Sequence, residues 1–89
     1  MIESEIVIAN RLGLHARAAA KFVHLAGTFA SKVTVSKDGA RVDGKSILGL
    51  LTLAAAKGGK LHLTVAGEDE RQAADKLQEL VRSRFGEGE

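Results

Sequence analysis

Residues 5–8, Glu5-Ile6-Val7-Ile8, join β-branched side chains to a partial alternation, which predicts a first strand with Ile6 and Ile8 turned inward. Residues 10–14 break that pattern and read as a loop. Over residues 15–27 the period lengthens. Ala19, Phe22, Val23 and Ala26 recur at i, i+3, i+4 and i+7, while Arg17, Lys21 and His24 collect on the other side, so an amphipathic helix closed by Gly27 is expected. Clean alternation returns over residues 31–37, and Asp38-Gly39 supplies a hairpin turn into residues 40–43, predicting an antiparallel pair.

Ser46 suits the cap of a second helix, predicted from Ile47 to about Ala56 and ended by Lys57-Gly58-Gly59. That helix is apolar almost all round. Leu50, Leu53 and Ala54 are expected on the sheet side, leaving Ile47, Leu48 and Leu51 partly exposed as a candidate partner-binding patch, unless both faces are simply buried. Leu61, Leu63 and Val65 alternate through a fourth strand, with His62 facing away. After Gly67, Glu68, Asp69 and Glu70 suit a helix N-terminus and Arg82 and Arg84 its far end, around a buried stripe of Ala73, Ala74, Leu77, Leu80 and Val81. The order βαββαβα predicts an α+β fold: an open-faced two-layer sandwich, a four-stranded and mainly antiparallel sheet with three helices on one face. Only a short tail, residues 86–89, falls outside these elements.

A chain of 89 residues holds one domain, spanning 1–89, and 45% apolar with 27% charged residues describes a globular rather than a disordered protein. Cysteine is absent, which removes disulfide and thiolate chemistry. The start of the chain lacks a basic segment followed by an apolar stretch, and no apolar run approaches the roughly 18 residues of a membrane span, so a cytoplasmic protein is expected, with a monomer as the default. The sequence pI near 9.2 comes from a net charge of only +2. With three Phe and neither Tyr nor Trp, the chain has no stacking platform for a nucleic acid.

Chemistry concentrates where the first loop meets the first helix, in Gly13-Leu14-His15-Ala16-Arg17. The free N–H groups and partial positive charge of a helix N-terminus bind anions, and Arg17 adds a charge-assisted contact to phosphate oxygens. A phosphoryl group on His15 would be cradled there. The same positive end favours the neutral, nucleophilic imidazole. On spacing alone, His15 also fits a residue that merely ends a loop, with Arg17 a solvated charge. Carboxylate pairs, Ser-His-Asp and HExxH patterns and Walker loops are absent, and His15, His24 and His62 lie on separate elements without metal-ligand spacing, so neither metal nor cofactor is expected. Ser46 is a helix cap by default. A phosphate there would place charge beside the apolar patch and disfavour docking.

Asn10-Arg11-Leu12-Gly13-Leu14-His15-Ala16-Arg17, Gly44-Lys45-Ser46-Ile47 and the βαββαβα order together resemble HPr, the histidine-containing phosphocarrier of the bacterial phosphoenolpyruvate-dependent phosphotransferase system. The resemblance covers essentially the whole chain. It implies a phosphoryl carrier rather than an enzyme, in which His15 takes the group on Nδ1 from Enzyme I and passes it to an EIIA-type protein, with Arg17 assisting. It further implies that Ser46 is the site of an HPr kinase/phosphorylase in bacteria that have one, and that Ala20, His24, Ile47, Leu48 and Leu51 form the docking surface. The family usually has Pro after the Arg of the histidine motif, whereas this chain has Ala18, which should keep the helix, slightly loosen its start and alter rates. A nitrogen-related branch using the same chemistry, and a regulatory binding protein in which only the Ser46 face matters, are the alternatives.

Overall fold

In the computed structural model, which describes residues 1–88, the chain runs β1 (Ile2–Val7), α1 (Ala16–Ala26), β2 (Lys32–Lys37), β3 (Ala40–Asp43), α2 (Ile47–Thr52), β4 (Lys60–Ala66) and α3 (Glu70–Arg82), then a 3₁₀ turn at Arg84–Gly86. The strands order β1-β4-β2-β3, and every pairing is antiparallel, so the sheet is wholly rather than mainly antiparallel. Pairings such as Ile6 with Leu61, and Val35 with Leu63, put alternate residues on one face, where the three helices cover them. Leu61, Leu63, Val65, Val33 and Val35 are all buried. Each such aliphatic side chain contributes about 1.5–3 kcal/mol on leaving water. The opposite face is polar, and His62 lies there, its Nε2 3.0 Å from Glu3 Oε1, as alternation predicted.

The two long helices follow their periodicity closely. Ala19, Phe22 and Ala26 of α1 are buried and Val23 is half-buried, while Ala73, Ala74, Leu77 and Val81 of α3 are buried and Leu80 half-buried. β1 begins at Ile2 rather than at residue 5, because the register extends to Ile2 opposite Val65. Beyond its end, the Met1 ammonium lies 2.9 Å from Glu70 Oε2.

Two expectations need correction. α2 stops at Thr52, not near Ala56, and Ala54 is exposed instead of facing the sheet, while Ala55 is buried in its place. The reason is tertiary. Ala54 turns left-handed at φ 50°, which frees the Ala55 carbonyl to accept the Leu14 N–H at 2.8 Å. Helix propensity is thus overridden by a bond to the loop that precedes His15. Asp69 stands at the N-cap of α3 but forms no cap; its carboxylate reaches back to the Ala30 N–H at 2.9 Å, the Ser31 N–H at 3.0 Å and the Ser31 hydroxyl.

Candidate functional site

The loop over residues 10–14 is built to aim one side chain. Gly13 adopts φ 70°, and a Cβ there would sit 2.6 Å from the Ala55 carbonyl oxygen, so only glycine lets the loop lie against the α2 exit. Leu14, buried at the next position, pins the loop into the core. His15 then becomes the N-cap of α1 in extended conformation, φ −78° and ψ 177°, with its carbonyl accepting the Ala19 N–H at 2.8 Å. A histidine caps where Ser, Thr, Asp or Asn usually would: the Arg17 N–H donates to His15 Nδ1 at 3.2 Å.

This hydrogen bond fixes the ring chemically. A nitrogen that accepts has a lone pair, so Nδ1 is bare and Nε2 carries the proton. The Nε2–H has an acceptor 2.5 Å away, Glu87 Oε2. The other carboxylate oxygen, Oε1, accepts from Asn10 Nδ2 at 2.9 Å, and Nδ2 also donates to the Gly13 carbonyl at 2.7 Å. Both of those Asn10 partners are acceptors, which sets the amide orientation. Asn10 is wholly buried and its Oδ1 has no partner among the described residues, so the desolvation of that oxygen is borne by an amide that ties loop and tail together. Glu87 is held ionised below the usual carboxylate range, chiefly by the Asn10 amide, with smaller help from His15 and the Arg17 charge, while burial opposes them.

Beside the ring runs a shallow groove of about 460 Å³ lined by Arg11, Leu12, Arg17, Lys21 and the tail residues 86–88. Three cations, Arg11, Arg17 and Lys21, share that groove with the Glu87 carboxylate. The expected pair is therefore brought together, although it is the backbone of Arg17 that touches His15. Ala18, in the first turn of α1, is fully buried, and the helix begins at Ala16 with alanine at that position. Ser46 caps α2, its hydroxyl accepting the Gly49 N–H at 3.0 Å, and takes no part in the histidine cluster. Lys45 beside it donates to the Phe29 carbonyl at 2.8 Å, an anchoring role. Of the expected docking residues, His24, Ile47 and Leu48 are exposed, Leu48 most of all at 75%, while Ala20 and Leu51 are half-buried. Among the described residues no cluster of His, Asp and Glu could hold a metal ion.

The stretch after α3, which the sequence placed outside every element, supplies through Glu87 the carboxylate that, among the described residues, touches the histidine. Seventy-two residues separate Glu87 from His15, and no local pattern joins them. Asn10 opens the histidine motif, yet its burial and its bridge to the tail exist only in the folded chain.

An imidazole whose accepting nitrogen stands at a helix N-terminus, on an open-faced antiparallel sandwich, marks a small α+β protein organised around one histidine loop. Residues 2–83 match the family model described as the PTS HPr component phosphorylation site. The chain belongs to the HPr family of phosphocarrier proteins of the phosphotransferase system. It is 49% identical over 89 residues to phosphocarrier protein HPr of Cupriavidus necator, with 100% of both chains covered, and 54% identical over 86 residues to that of Pseudomonas aeruginosa, with 96% of both covered. The crystal structure of HPr-C-His from Thermoanaerobacter tengcongensis superposes with a TM-score of 0.96 at 43% identity, covering 100% of both chains. Among the described residues no helix is long and apolar enough to cross a membrane.

Proposed function

We propose that His15 carries a phosphoryl group on Nδ1, accepting it from phosphoenolpyruvate-charged Enzyme I and delivering it to an EIIA-type protein of a sugar or nitrogen-related system. The protein is then a covalent intermediate in a transfer chain, working as a cytoplasmic monomer without a cofactor. The observation that carries this reading is the Arg17 N–H on Nδ1 at the start of α1. It leaves the nucleophilic lone pair on the nitrogen nearest the helix N-terminus, and the same N–H can swing to a phosphoryl oxygen once the P–N bond forms. The guanidinium of Arg17, beside Arg11 and Lys21, adds charge-assisted contacts to the remaining oxygens.

Partner docking falls on the exposed surface of α1 and α2 marked by Ala20, His24, Ile47, Leu48 and Leu51. Ser46, at the edge of that surface, is the regulatory site for an HPr kinase/phosphorylase where the organism has one. A phosphate on Ser46 would place about two negative charges next to Ile47 and Leu48 and oppose docking. The test is intact mass after incubation with Enzyme I and phosphoenolpyruvate. Wild type should gain one acid-labile phosphoryl group and His15→Ala none. If neither is modified by an Enzyme I that charges another carrier, the carrier reading is lost.

A further inference from the structure

We propose that Glu87 is a positioning residue for phosphoryl transfer, its carboxylate retaining the Nε2 proton of His15 so that the ring stays a good phosphoryl donor. The proposal rests on the carrier reading of His15. Its geometry is specific. One carboxylate oxygen lies 2.5 Å from Nε2 and the other is held by Asn10 at 2.9 Å, so neither oxygen is left to wander. Only 16% of the Glu87 side chain remains exposed. Nδ1, on the other side of the ring, accepts the Arg17 N–H rather than a contact from Glu87 and stays available to a donor.

The chain delivers Glu87 by an unusual turn. Arg84, Phe85 and Gly86 take φ values of 58°, 55° and 77°, three left-handed residues in succession, two of them not glycine. Left-handed backbone is unfavourable for a non-glycine residue, and strain of this kind persists only where the surroundings hold it. Two features do so here. Phe85 is buried in the core, and Lys21 Nζ donates to its carbonyl at 2.6 Å. A free tail would relax; this one is fastened so that the next residue meets the histidine.

The chemical consequence follows from counting electrons. As the Nδ1 lone pair forms a bond to phosphorus, the donor's bond to phosphorus breaks and its electron pair leaves with the donor. The ring still bears the Nε2 proton and so becomes a cation, which the Glu87 carboxylate offsets, as a buried carboxylate does for a catalytic imidazolium. On delivery, the P–N electron pair returns to Nδ1 and a neutral imidazole departs. Had Nε2 lost its proton to solvent meanwhile, the departing group would be an imidazolate anion, a far poorer leaving group. Glu87 keeps that proton in place. Charged groups facing the same pocket are Arg11, Arg17 and Lys21, all cations that favour the phosphoryl group rather than the ring proton.

The experiment compares wild type, Glu87→Ala and Glu87→Gln, each charged with Enzyme I and phosphoenolpyruvate, for the rate of charging and for the loss of the phosphoryl group to water at pH 6 and pH 8 by phosphorus NMR. Glu87→Ala should charge about tenfold more slowly, the worth of one charge-assisted hydrogen bond. Its phosphoryl group should be lost several-fold more slowly than wild type at pH 8, the gap closing at pH 6 where solvent supplies the proton. Glu87→Gln, which keeps an acceptor without the charge, should fall between them. The uncharged proteins give a second reading: a downfield Nε2–H proton of His15 visible in wild type and lost to exchange in Glu87→Ala. Variants that charge, hydrolyse and show that proton as wild type does overturn the proposal while leaving the carrier reading intact. A wild type that cannot be charged overturns both.

Discussion

At single residues the site is set by atoms that have no alternative partner. Gly13 is the clearest case, since any side chain would enter the Ala55 carbonyl at 2.6 Å and hold φ at 70°. Gly13→Ala should lower stability by at least about 2 kcal/mol, from left-handed strain and the displaced carbonyl together. Urea unfolding would measure it, and a variant as stable as wild type would mean that the loop can leave α2 freely. Asp69 gives a prediction in pH. The Ser31 hydroxyl first, and then the Ala30 N–H, hold its carboxyl below the usual range, so in acid the unfolded chain binds a proton that the folded chain does not. Its contribution is complete above the unfolded value near 3.9 and fades as pH falls through the lower folded value. The advantage of wild type over Asp69→Asn should therefore be flat from pH 7 to about pH 5 and shrink below about pH 4, as urea titrations across that range would show.

Among the elements, legibility tracked how local the cause was. α1, β2, β3, β4 and α3 carry their own periodicity, and the Asp38-Gly39 turn and the Ser46 cap are local chemistry, so all of them could be read directly. The end of α2 could not. Ala54, Ala55 and Ala56 are strong helix formers with no breaker before Gly58, and what stops them is the Leu14 N–H arriving from another part of the chain. His15 and Arg17 were legible as a pair for the same reason that Glu87 was not: two residues of separation against seventy-two. The early stop leaves Ala54 left-handed and exposed at φ 50°. Ala54→Gly should thus stabilise the protein by about 0.5–1 kcal/mol, the relief of αL strain exceeding the added freedom of the unfolded chain. A fall in the urea midpoint would show that the turn is held by more than backbone preference.

For the molecule as a whole the open question is whether one copy is the working unit. Dimeric structures occur among similar proteins, including an HPr dimer from Thermoanaerobacter tengcongensis that is 44% identical and superposes with a TM-score of 0.79. Surface area argues for a single copy. A standard interface removes about 800 Å² from each partner, roughly a sixth of the 4964 Å² this chain exposes. Among the described residues the large apolar side chains on the surface are Met1, Val7, Leu12, Ile47 and Leu48, of which the last two adjoin one another along a helix. That pair suits a transient partner better than a permanent second copy. The radius of gyration of 11.5 Å is also that of a self-contained domain, for which about 12 Å is expected at this length. Sedimentation at about 50 µM, where a dimer with Kd of about 1 µM would be largely associated, should give a single species at the 9.4 kDa of one chain. A dimer built through the sheet would instead exchange or pair β1 or β3, the two edge strands, between copies. Exchange of β1 would draw Ile6 out of the core along with it, so such a dimer should form slowly and persist on dilution, whereas a contact through Ile47 and Leu48 should dissociate at once.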